Sequence, residues 1–285
     1  MNDVDFYLHD LKTKFDKIEP EKYYLSYSGG KDSHLLYWFI KEILHEDRIK
    51  IIGINTYMEH KEIRDRMNKN CDIVIIPEIK PMEIKQKYGI PCFSKNQDEL
   101  IKRYQNGSRT KNTMDFVTRK NPIFKLNTKA SELLLAGKLH RISPDCCKYL
   151  KKNTSVRIEK EYGLKPILGV RGEEGLNRKK RYTSCFTKDL KFTPLFDLTD
   201  ELEMKIYNQY NIELPEVYQH IKRTGCMGCP YGNHNNTIVE ELDLLDQNQR
   251  DFVCEYFKES YEVLGINPDK YRINLIFDRI RAPHH

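Results

Sequence analysis

The sequence has no long run of apolar residues, and its mean hydropathy of −0.70 excludes a membrane-spanning helix. Its amino terminus, residues 1–5, has no basic segment followed by an apolar core, so no secretory signal is visible. Internal repeats and low-complexity linkers are absent as well. These absences predict a cytoplasmic protein that does not associate with a membrane, and 285 residues suffice for a sizeable buried core.

Cysteine and positive charge are both plentiful. Eight cysteines without a secretory signal argue against a disulfide framework and favour metal, cluster or redox chemistry in a reducing compartment. The net charge is +6, and basic residues concentrate at 148–152 and 178–181. Such runs are usually solvated helix faces, but the same charge also suits an anionic substrate or a nucleic acid.

The most informative stretch joins an apolar run, a glycine turn and a helical pattern. Residues 23–27 predict a buried strand, and residues 34–44 carry apolar side chains at helical spacing. Between them lies the loop Ser28-Gly29-Gly30-Lys31-Asp32-Ser33. The glycines let a ligand approach the main chain, and unpaired N–H groups at the helix start attract phosphate. The lysine adds positive charge, the serines add hydroxyls, and the aspartate is predicted to cap the helix or hold Mg²⁺.

An ordinary glycine turn is the alternative interpretation of this loop, and a bare Ser-Gly-Gly would favour it. The spacing of a Walker loop, Gly, four residues and Gly-Lys-Ser/Thr, does not occur. The complete string of residues 28–33, set between a strand and a helix, favours binding of nucleotide phosphates.

Further apolar and amphipathic runs predict an α/β fold. The predicted elements are a helix over 1–22, strands over 51–56, 72–76 and 165–171, and a charged helix near 61–70. Their alternation is typical of a doubly wound, mostly parallel sheet with helical crossovers. We expect a nucleotide-binding domain over 1–200, with a helical insertion near 97–150, and a helical, cysteine-bearing part over 201–285.

Ligands of parallel sheets bind at the carboxyl ends of the strands, which puts the glycine loop and Asn55-Thr56 on one edge. These two residues are predicted to contact the nucleoside, although a polar pair at a strand end is as often a plain turn. Farther along, Arg171 and Arg178 suit bidentate binding of phosphate, and Glu174 suits orienting an arginine or holding a metal. Alone, that segment is an ordinary charged junction between strand and helix.

Four cysteines form a pair and a spaced pair, Cys146-Cys147 and Cys226-x-x-Cys229. The spaced pair alone is compatible with zinc. Adjacent cysteines on a helix diverge by about 100°, so they bind different irons of a cubane more easily than one small tetrahedral ion. A [4Fe-4S] cluster is therefore the preferred interpretation, with zinc or a structural thiol pair as alternatives.

Several of these segments resemble one enzyme family. Residues 28–33 resemble the pyrophosphatase loop of the adenine nucleotide alpha-hydrolase superfamily, whose members cleave ATP between the α and β phosphates on a Rossmann-like fold. Residues 169–178 resemble the Gly-x-Arg-x-x-Glu-Ser-x-x-Arg segment of the phosphoadenosine phosphosulfate reductase family, with Gly175 in place of serine. Residues 193–201 resemble that family's Pro-Leu-x-x-Trp-Thr-x-x-Asp stretch, with Leu198 in place of tryptophan. The cysteine pairs resemble the cluster motif of assimilatory adenylylsulfate reductases.

The resemblance implies an ATP pyrophosphatase that adenylates an acceptor for sulfur transfer, as in nucleic-acid thiolation and DNA phosphorothioation. It implies ATP with Mg²⁺ and a [4Fe-4S] cluster as cofactors, a nucleic acid as acceptor, and a sulfur-donor protein such as a cysteine desulfurase as partner. The catalytic residues so implied are Lys31, Asp32, Arg171, Glu174 and Arg178. The nucleotide-binding residues are 28–33, Asn55, Thr56, Gly169 and Arg171.

Two alternatives stay open from the sequence. One is a phosphoadenylyl-sulfate or adenylyl-sulfate reductase that uses Cys185 or Cys92. The usual reductase cysteine in a Glu-Cys-Gly-x-His setting is absent, because no cysteine follows Cys254 in this sequence. The other is a nucleotide-binding partner subunit without turnover. A purified protein that binds ATP but releases no pyrophosphate would favour the second.

Overall fold

The computed structural model describes residues 2–232 and 237–268. The carboxyl-terminal tail, in which we expect no reductase-type nucleophile and whose His284 and His285 are too few to assign a role, lies outside the described residues. The chain forms two compact units. The loop unit contains Met1–Asn55, Lys61–Pro77 and Lys151–Thr224, and the cysteine unit contains Thr56–His60, Glu78–Leu150 and Gly225–His285. Folding as two parts, 1–200 and 201–285, stays a prediction.

The sheet lies in the loop unit and has four parallel strands in the order β3-β2-β1-β4. Their bounds are β1 (Tyr23–Tyr27), β2 (Lys50–Ile54), β3 (Ile73–Ile75) and β4 (Lys165–Ile167). Leu25 of β1 is aligned with Ile51 of β2 on one side and with Ile167 of β4 on the other. The chain thus builds outward from β1 to β3 and then returns to the opposite side of β1, which makes the β1–β4 boundary the switch point of the sheet.

Helices make up most of the rest of the described chain. Their bounds are α1 (Asp3–Phe15), α2 (Lys31–Trp38), α3 (Lys61–Asn70), α4 (Pro81–Tyr88), α5 (Lys95–Gln105), α6 (Lys111–Val117), α7 (Thr128–Leu135), α8 (Asn153–Tyr162), α9 (Leu176–Arg181), α10 (Asp200–Gln209), α11 (Thr237–Asp243) and α12 (Gln247–Leu264).

The predicted α/β class, with helices on both faces of a parallel sheet, is confirmed. Successive side chains of β1 point to opposite faces. Leu25 packs in one buried core with Leu11 of α1 and Leu36 of α2, whereas Tyr24 packs in a second core with Ile158 of α8. Burial on both faces explains why the strands carry adjacent apolar residues, such as Ile51 and Ile52, rather than a strict alternation of polar and apolar ones.

The predicted charged helix near 61–70 is confirmed as α3, but the first helix is shorter than predicted. Helix α1 begins after Asn2, whose side chain accepts a hydrogen bond from the amide of Asp5 in a capping box. It ends at Phe15, and a separate 3₁₀ turn begins at Pro20. A proline tolerates the first turn of a helix but not its interior, so the pattern of apolar residues overstated the length.

The cysteine unit is helical. Helices α5, α6 and α7 pack around Ile101, Phe116 and Leu134, and they lie in the stretch where the sequence predicts a helical insertion. A second core contains Tyr256 and Tyr261 of α12. No α-helix in the described part of the chain is both long and apolar enough to cross a membrane.

Candidate functional site

The glycine loop connects β1 to α2 at the switch point of the sheet. Gly29 has φ +77°, and a Cβ there would lie 2.5 Å from the carbonyl oxygen of Ile63, so only glycine fits. Helix α2 begins directly after Gly30, which has no side chain to cap it. The predicted helix cap by Asp32 is therefore wrong, because the position before the helix belongs to the glycine.

The two serines fasten the loop to the first turn of α2. Their hydroxyls lie 3.0 Å apart, and the amide of Ser28 donates to Oγ of Ser33 at 3.2 Å. Oγ of Ser33 also contacts the carbonyl oxygen of Gly30 at 3.0 Å. A Cβ on Gly169 would lie 2.9 Å from the amide nitrogen of Ser33, so the chain after β4 passes directly against the loop. The glycine loop and the end of β4 thus lie side by side at the same edge of the sheet.

A buried ion network supports the loop from behind. Nε of Arg171 donates a short hydrogen bond to Oδ1 of Asp32, and Nη2 lies 2.6 Å from Asp200 and 3.3 Å from Glu203. Nζ of Lys31 lies 2.8 Å from the same Glu203 carboxylate. The side chains of Arg171 and Glu203 are fully buried. Both charged residues of the loop are therefore held by partners beneath it.

The network shifts the pKa of its members. Burial, followed by the charge of Asp32, raises the pKa of Glu203 to about 7, while Arg171 and Lys31 act in the opposite direction. Burial lowers the pKa of Arg171, but Asp32 and Glu203 outweigh it and raise the value overall. The guanidinium thus stays charged, and it compensates the Glu203 carboxylate, which is buried away from water.

A cavity of about 300 Å³ opens over the loop. Its lining includes Ser28, Gly30, Lys31, Asp32, Gly169, Arg178, Tyr218, Arg223 and Thr224. Burial, and next the charge of Arg223, lowers the pKa of Arg178, so the two guanidinium groups lie near each other. The two like charges lie side by side at the cavity, together with backbone donors and a lysine. A bound anion would stabilise this arrangement.

Three other predicted site residues have different surroundings. Thr56 is buried, and its amide and hydroxyl donate to the carboxylate of Glu59 at 3.0 and 2.5 Å. The amide of Asn55 donates to the carbonyl oxygen of Ile75 at the end of the sheet. Glu174 ends a 3₁₀ turn, Gly172–Glu174, and its side chain lies outside the description. A role for these residues stays a prediction.

Sequence reasoning missed the residues that complete the site, namely Glu203, Asp200, Tyr218, Arg223 and Thr224. One signal was available: the helix start at residues 199–203 is evident from a capping threonine followed by acidic residues. Thr199 indeed caps α10, since its side chain accepts a hydrogen bond from the amide of Leu202. The structure pairs two of those acids, Asp200 and Glu203, with Arg171 and Lys31.

The four cysteines of the predicted metal site lie together in the cysteine unit. Cys146 is buried, and Cys147, Cys226 and Cys229 pack against the same core. A hydrogen bond with Cys147, then burial, then the charges of the other cysteines raise the pKa of the Cys146 thiol. The four thiols therefore lie near one another, and a shared metal centre stays a prediction.

A tight turn brings Cys226 and Cys229 to the same side. The amide of Cys229 donates to the carbonyl oxygen of Cys226 at 3.1 Å, and Gly228 has φ +58°. The hydroxyl of Tyr261 donates to the Gly228 carbonyl at 2.6 Å, and it would lie 2.4 Å from a Cβ at that position. Glycine is thus required in the turn for both conformation and space.

The residue types of this thiol group, four cysteines, match the ligands that a soft metal or an iron-sulfur cluster prefers. The hydroxyl of Tyr256 adds an independent observation. It is buried without a hydrogen-bond partner among the described residues, and its pKa is raised by burial and then by all four cysteines. Among residues 2–232 and 237–268, no three or more His, Cys, Asp or Glu side chains are arranged to hold a metal ion.

The cysteines considered for a reductase have unequal surroundings. Cys92 is fully buried, and burial, followed by the charge of Asp98, raises the pKa of its thiol. A reactive cysteine needs an accessible and cationic setting, so Cys92 is a poor nucleophile. Cys185 is half-buried and packs against the core of the loop unit.

Comparisons with known proteins add little to this geometry. No family model and no curated protein matches the sequence. Among solved structures, the chain is similar to the NH3-dependent NAD synthetase from Campylobacter jejuni subsp. jejuni NCTC 11168 in complex with the nitrate ion, at 14% identity and a TM-score of 0.35. The match covers 91% of this chain and 94% of that chain. A similarity at this level carries no argument, and the fold class rests on the strand order itself.

Proposed function

We propose that this chain is an ATP pyrophosphatase of the phosphoadenosine phosphosulfate reductase family that adenylates an anionic acceptor for sulfur transfer. The observation that carries the proposal is the glycine loop at the start of α2, which lines one cavity together with Arg178 and Arg223. Backbone donors and cations that converge on one cavity suit a polyphosphate.

In the proposed reaction, an acceptor oxygen attacks the α phosphorus of ATP. The bond from that phosphorus to the oxygen that bridges the α and β phosphates breaks, and pyrophosphate leaves with the electron pair. The loop amides and Lys31 hold the departing phosphates, so they stabilise the charge that develops on the leaving group. Arg171 is a positioning residue in this scheme, because its contacts are with Asp32, Asp200 and Glu203.

Asp32 is the residue that would hold Mg²⁺. Its side chain is 20% exposed and the residue lines the cavity, so its carboxylate would be able to hold a cation there. When bound, Mg²⁺ supplies positive charge that offsets the charge of the leaving pyrophosphate. Arg171 orients the carboxylate through its short hydrogen bond.

The acceptor is proposed to be a nucleic acid. Arg178 begins a run of four exposed basic residues, Arg178, Lys179, Lys180 and Arg181, that continues along α9 from the cavity. A row of cations that extends beyond the reacting centre suits a polyanion better than a small acceptor.

The thiol group is proposed to hold a [4Fe-4S] cluster through Cys146, Cys147, Cys226 and Cys229. When bound, such a cluster supplies a redox-active, sulfur-binding centre. The buried hydroxyl of Tyr256 would donate a hydrogen bond to one of the thiolates. In the second half-reaction, a thiol reductant releases hydrosulfide from the persulfide of a donor such as a cysteine desulfurase and is itself oxidised to a disulfide. The hydrosulfide attacks the adenylated atom of the acceptor and AMP leaves with the bond's electron pair, so one oxygen of the acceptor is exchanged for sulfur.

The first test is release of pyrophosphate from ATP and Mg²⁺ in the presence of short DNA and RNA. We expect D32N and S28A to lose at least about 100-fold of the rate, since each removes part of the charge or hydrogen bonding at the leaving group. D16N, at the exposed residue directly after α1, makes the same chemical change away from the cavity and serves as the control. Equal rates in D32N and D16N would refute the assignment.

The cluster has its own test. Anaerobically purified protein should contain iron and acid-labile sulfide and show a broad charge-transfer band at roughly 400 nm. C146A and C229A should lose the band, while C254A, which removes a cysteine outside the thiol group, should keep it. Zinc without sulfide would leave the pyrophosphatase proposal intact but replace the cluster by a structural metal.

A further inference from the structure

Tyr218 occupies the phosphate-binding face of the glycine loop. Its hydroxyl accepts a hydrogen bond of 2.8 Å from the amide of Lys31, the first residue of α2. The same hydroxyl shares a hydrogen bond of 2.8 Å with Oγ1 of Thr224. The amide of Lys31 is one of the helix-start donors that have no partner inside the helix and that a phosphate oxygen would take.

The surroundings of Gly30 show how narrow this position is. Gly30 has φ −74° and ψ 165°, a conformation open to any residue, so its backbone does not require glycine. A Cβ there, however, would lie 3.0 Å from the hydroxyl of Tyr218 and 3.2 Å from Oγ1 of Thr224. The absence of a side chain at Gly30 leaves room for small polar atoms such as these two oxygens. A phosphate oxygen has that size and that hydrogen-bonding need.

Tyr218 is held by its chain neighbours as well as by its hydroxyl. It lies in a 3₁₀ turn, Glu216–Gln219, and the amide of the preceding Val217 donates to Glu62 at 3.2 Å. The backbone of the turn is therefore anchored to α3 independently of the hydrogen bonds that the Tyr218 hydroxyl makes. Burial raises the pKa of Tyr218, so the hydroxyl is neutral.

We propose that the hydroxyl of Tyr218 stands in for a phosphate oxygen, and that a bound nucleotide takes over both of its hydrogen bonds. One phosphate oxygen would then accept from the amide of Lys31 and from the hydroxyl of Thr224. Tyr218 is thus a competitor of the ligand and Thr224 a binding residue. The exchange is favourable because a charged oxygen makes a stronger hydrogen bond than a neutral hydroxyl. The inference rests on the proposed phosphate-binding function of the loop.

Two substitutions in this hydrogen-bonded pair should have opposite effects. Y218F removes the competing acceptor, and T224V removes a donor to the ligand without much change in volume. A neutral hydrogen bond contributes about 0.5–1.5 kcal/mol, which corresponds to a change of about 2- to 12-fold in affinity. We therefore expect Y218F to bind inorganic pyrophosphate and ATP about 2- to 12-fold more tightly than the wild type, and T224V to bind them more weakly by a similar factor.

Binding is measured by calorimetry with pyrophosphate and with ATP, each with Mg²⁺. Y162F, on the exposed face of α8, is the matched control for loss of a tyrosine hydroxyl, and unfolding curves exclude misfolded variants. If the wild type binds but Y218F binds no more tightly than the wild type, or both Y218F and T224V bind more weakly, the inference about Tyr218 is overturned. Binding by the wild type would still uphold the proposed function. Absence of binding in wild type and Y218F alike would overturn both. Binding by Y218F alone would support both and identify Tyr218 as a strong competitor.

Discussion

Replacement of Arg171 by methionine tests whether the buried ion network holds the glycine loop together. The guanidinium is fully buried and contacts Asp32, Asp200 and Glu203. Asp200 is 65% exposed, so water can compensate its charge, but the Glu203 carboxylate is fully buried. After the substitution, Lys31, 2.8 Å from Glu203, is left as the cation that this carboxylate contacts, while Asp32 loses its hydrogen bond to Arg171. Removing one partner of a buried pair typically costs about 3–5 kcal/mol, whereas loss of an exposed pair costs about 0–1 kcal/mol. We expect R171M to lower the free energy of unfolding of the loop unit by about 3–5 kcal/mol.

The chain offers a convenient assay, since its single tryptophan, Trp38, ends α2 in the loop unit. Urea unfolding followed by Trp38 fluorescence therefore reports on this unit. R171K keeps the charge but loses the planar fork and should fall between the wild type and R171M. The double variant R171M/E203Q removes the stranded carboxylate and should recover about 1–3 kcal/mol of the loss. A loss below about 1 kcal/mol in R171M would refute the reasoning, because the pair would then behave as an exposed one.

Three further predictions follow from single residues. Burial raises the pKa of Glu203 from 4.5 to about 7, so between these values the folded state holds a proton that the unfolded state releases. The free energy of unfolding should therefore fall as the pH rises from 4.5 through 7. If E203Q showed the same pH dependence as the wild type, this prediction would be contradicted. G29A should destabilise the loop unit by about 1–3 kcal/mol in urea unfolding and abolish pyrophosphate binding. The reason is that the substitution forces a residue with a side chain into a positive φ, against Ile63. Unchanged binding would show that the loop tolerates the strain. If the thiol group holds the proposed cluster, Y256F should lower its reduction potential at unchanged iron content, because the substitution removes the hydroxyl that is proposed to donate a hydrogen bond to a thiolate; an unshifted potential would contradict that hydrogen bond.

The sequence was sufficient for those parts of the site that depend on neighbours in the chain. Strand β1, the glycine loop and the start of α2 follow one another within a few residues, so their composition indicates strand, turn and helix directly. The two cysteine pairs are recognisable in the same way. The roles of Arg171 and Thr56 depend on burial instead: Arg171 turns inward to carboxylates, and Thr56 is bound to Glu59. A polar residue at a strand end looks the same in sequence whether it faces a ligand or a buried partner.

Tyr218 and Glu203 illustrate a second limit. Each lies more than 150 positions after the loop residue that it contacts, Lys31. The turn around Tyr218 has no composition that points to the loop, and Glu203 is one of several acids in the first turns of α10. Only the fold brings these side chains to Lys31, so no local pattern was able to reveal them.

The strand order gives the physical reason why this loop, and not another strand end, gathers charge. At the β1–β4 boundary the chain leaves adjacent strands in opposite directions, which opens a crevice at their carboxyl ends. Gly169 has no side chain, so the segment after β4 closes against Ser33 and carries Arg171 to Asp32. A larger residue at 169 would push Arg171 away and leave Asp32 without its cation. G169A should therefore weaken pyrophosphate binding and the Trp38-reported stability together, whereas a variant that only lost a ligand contact would change binding alone.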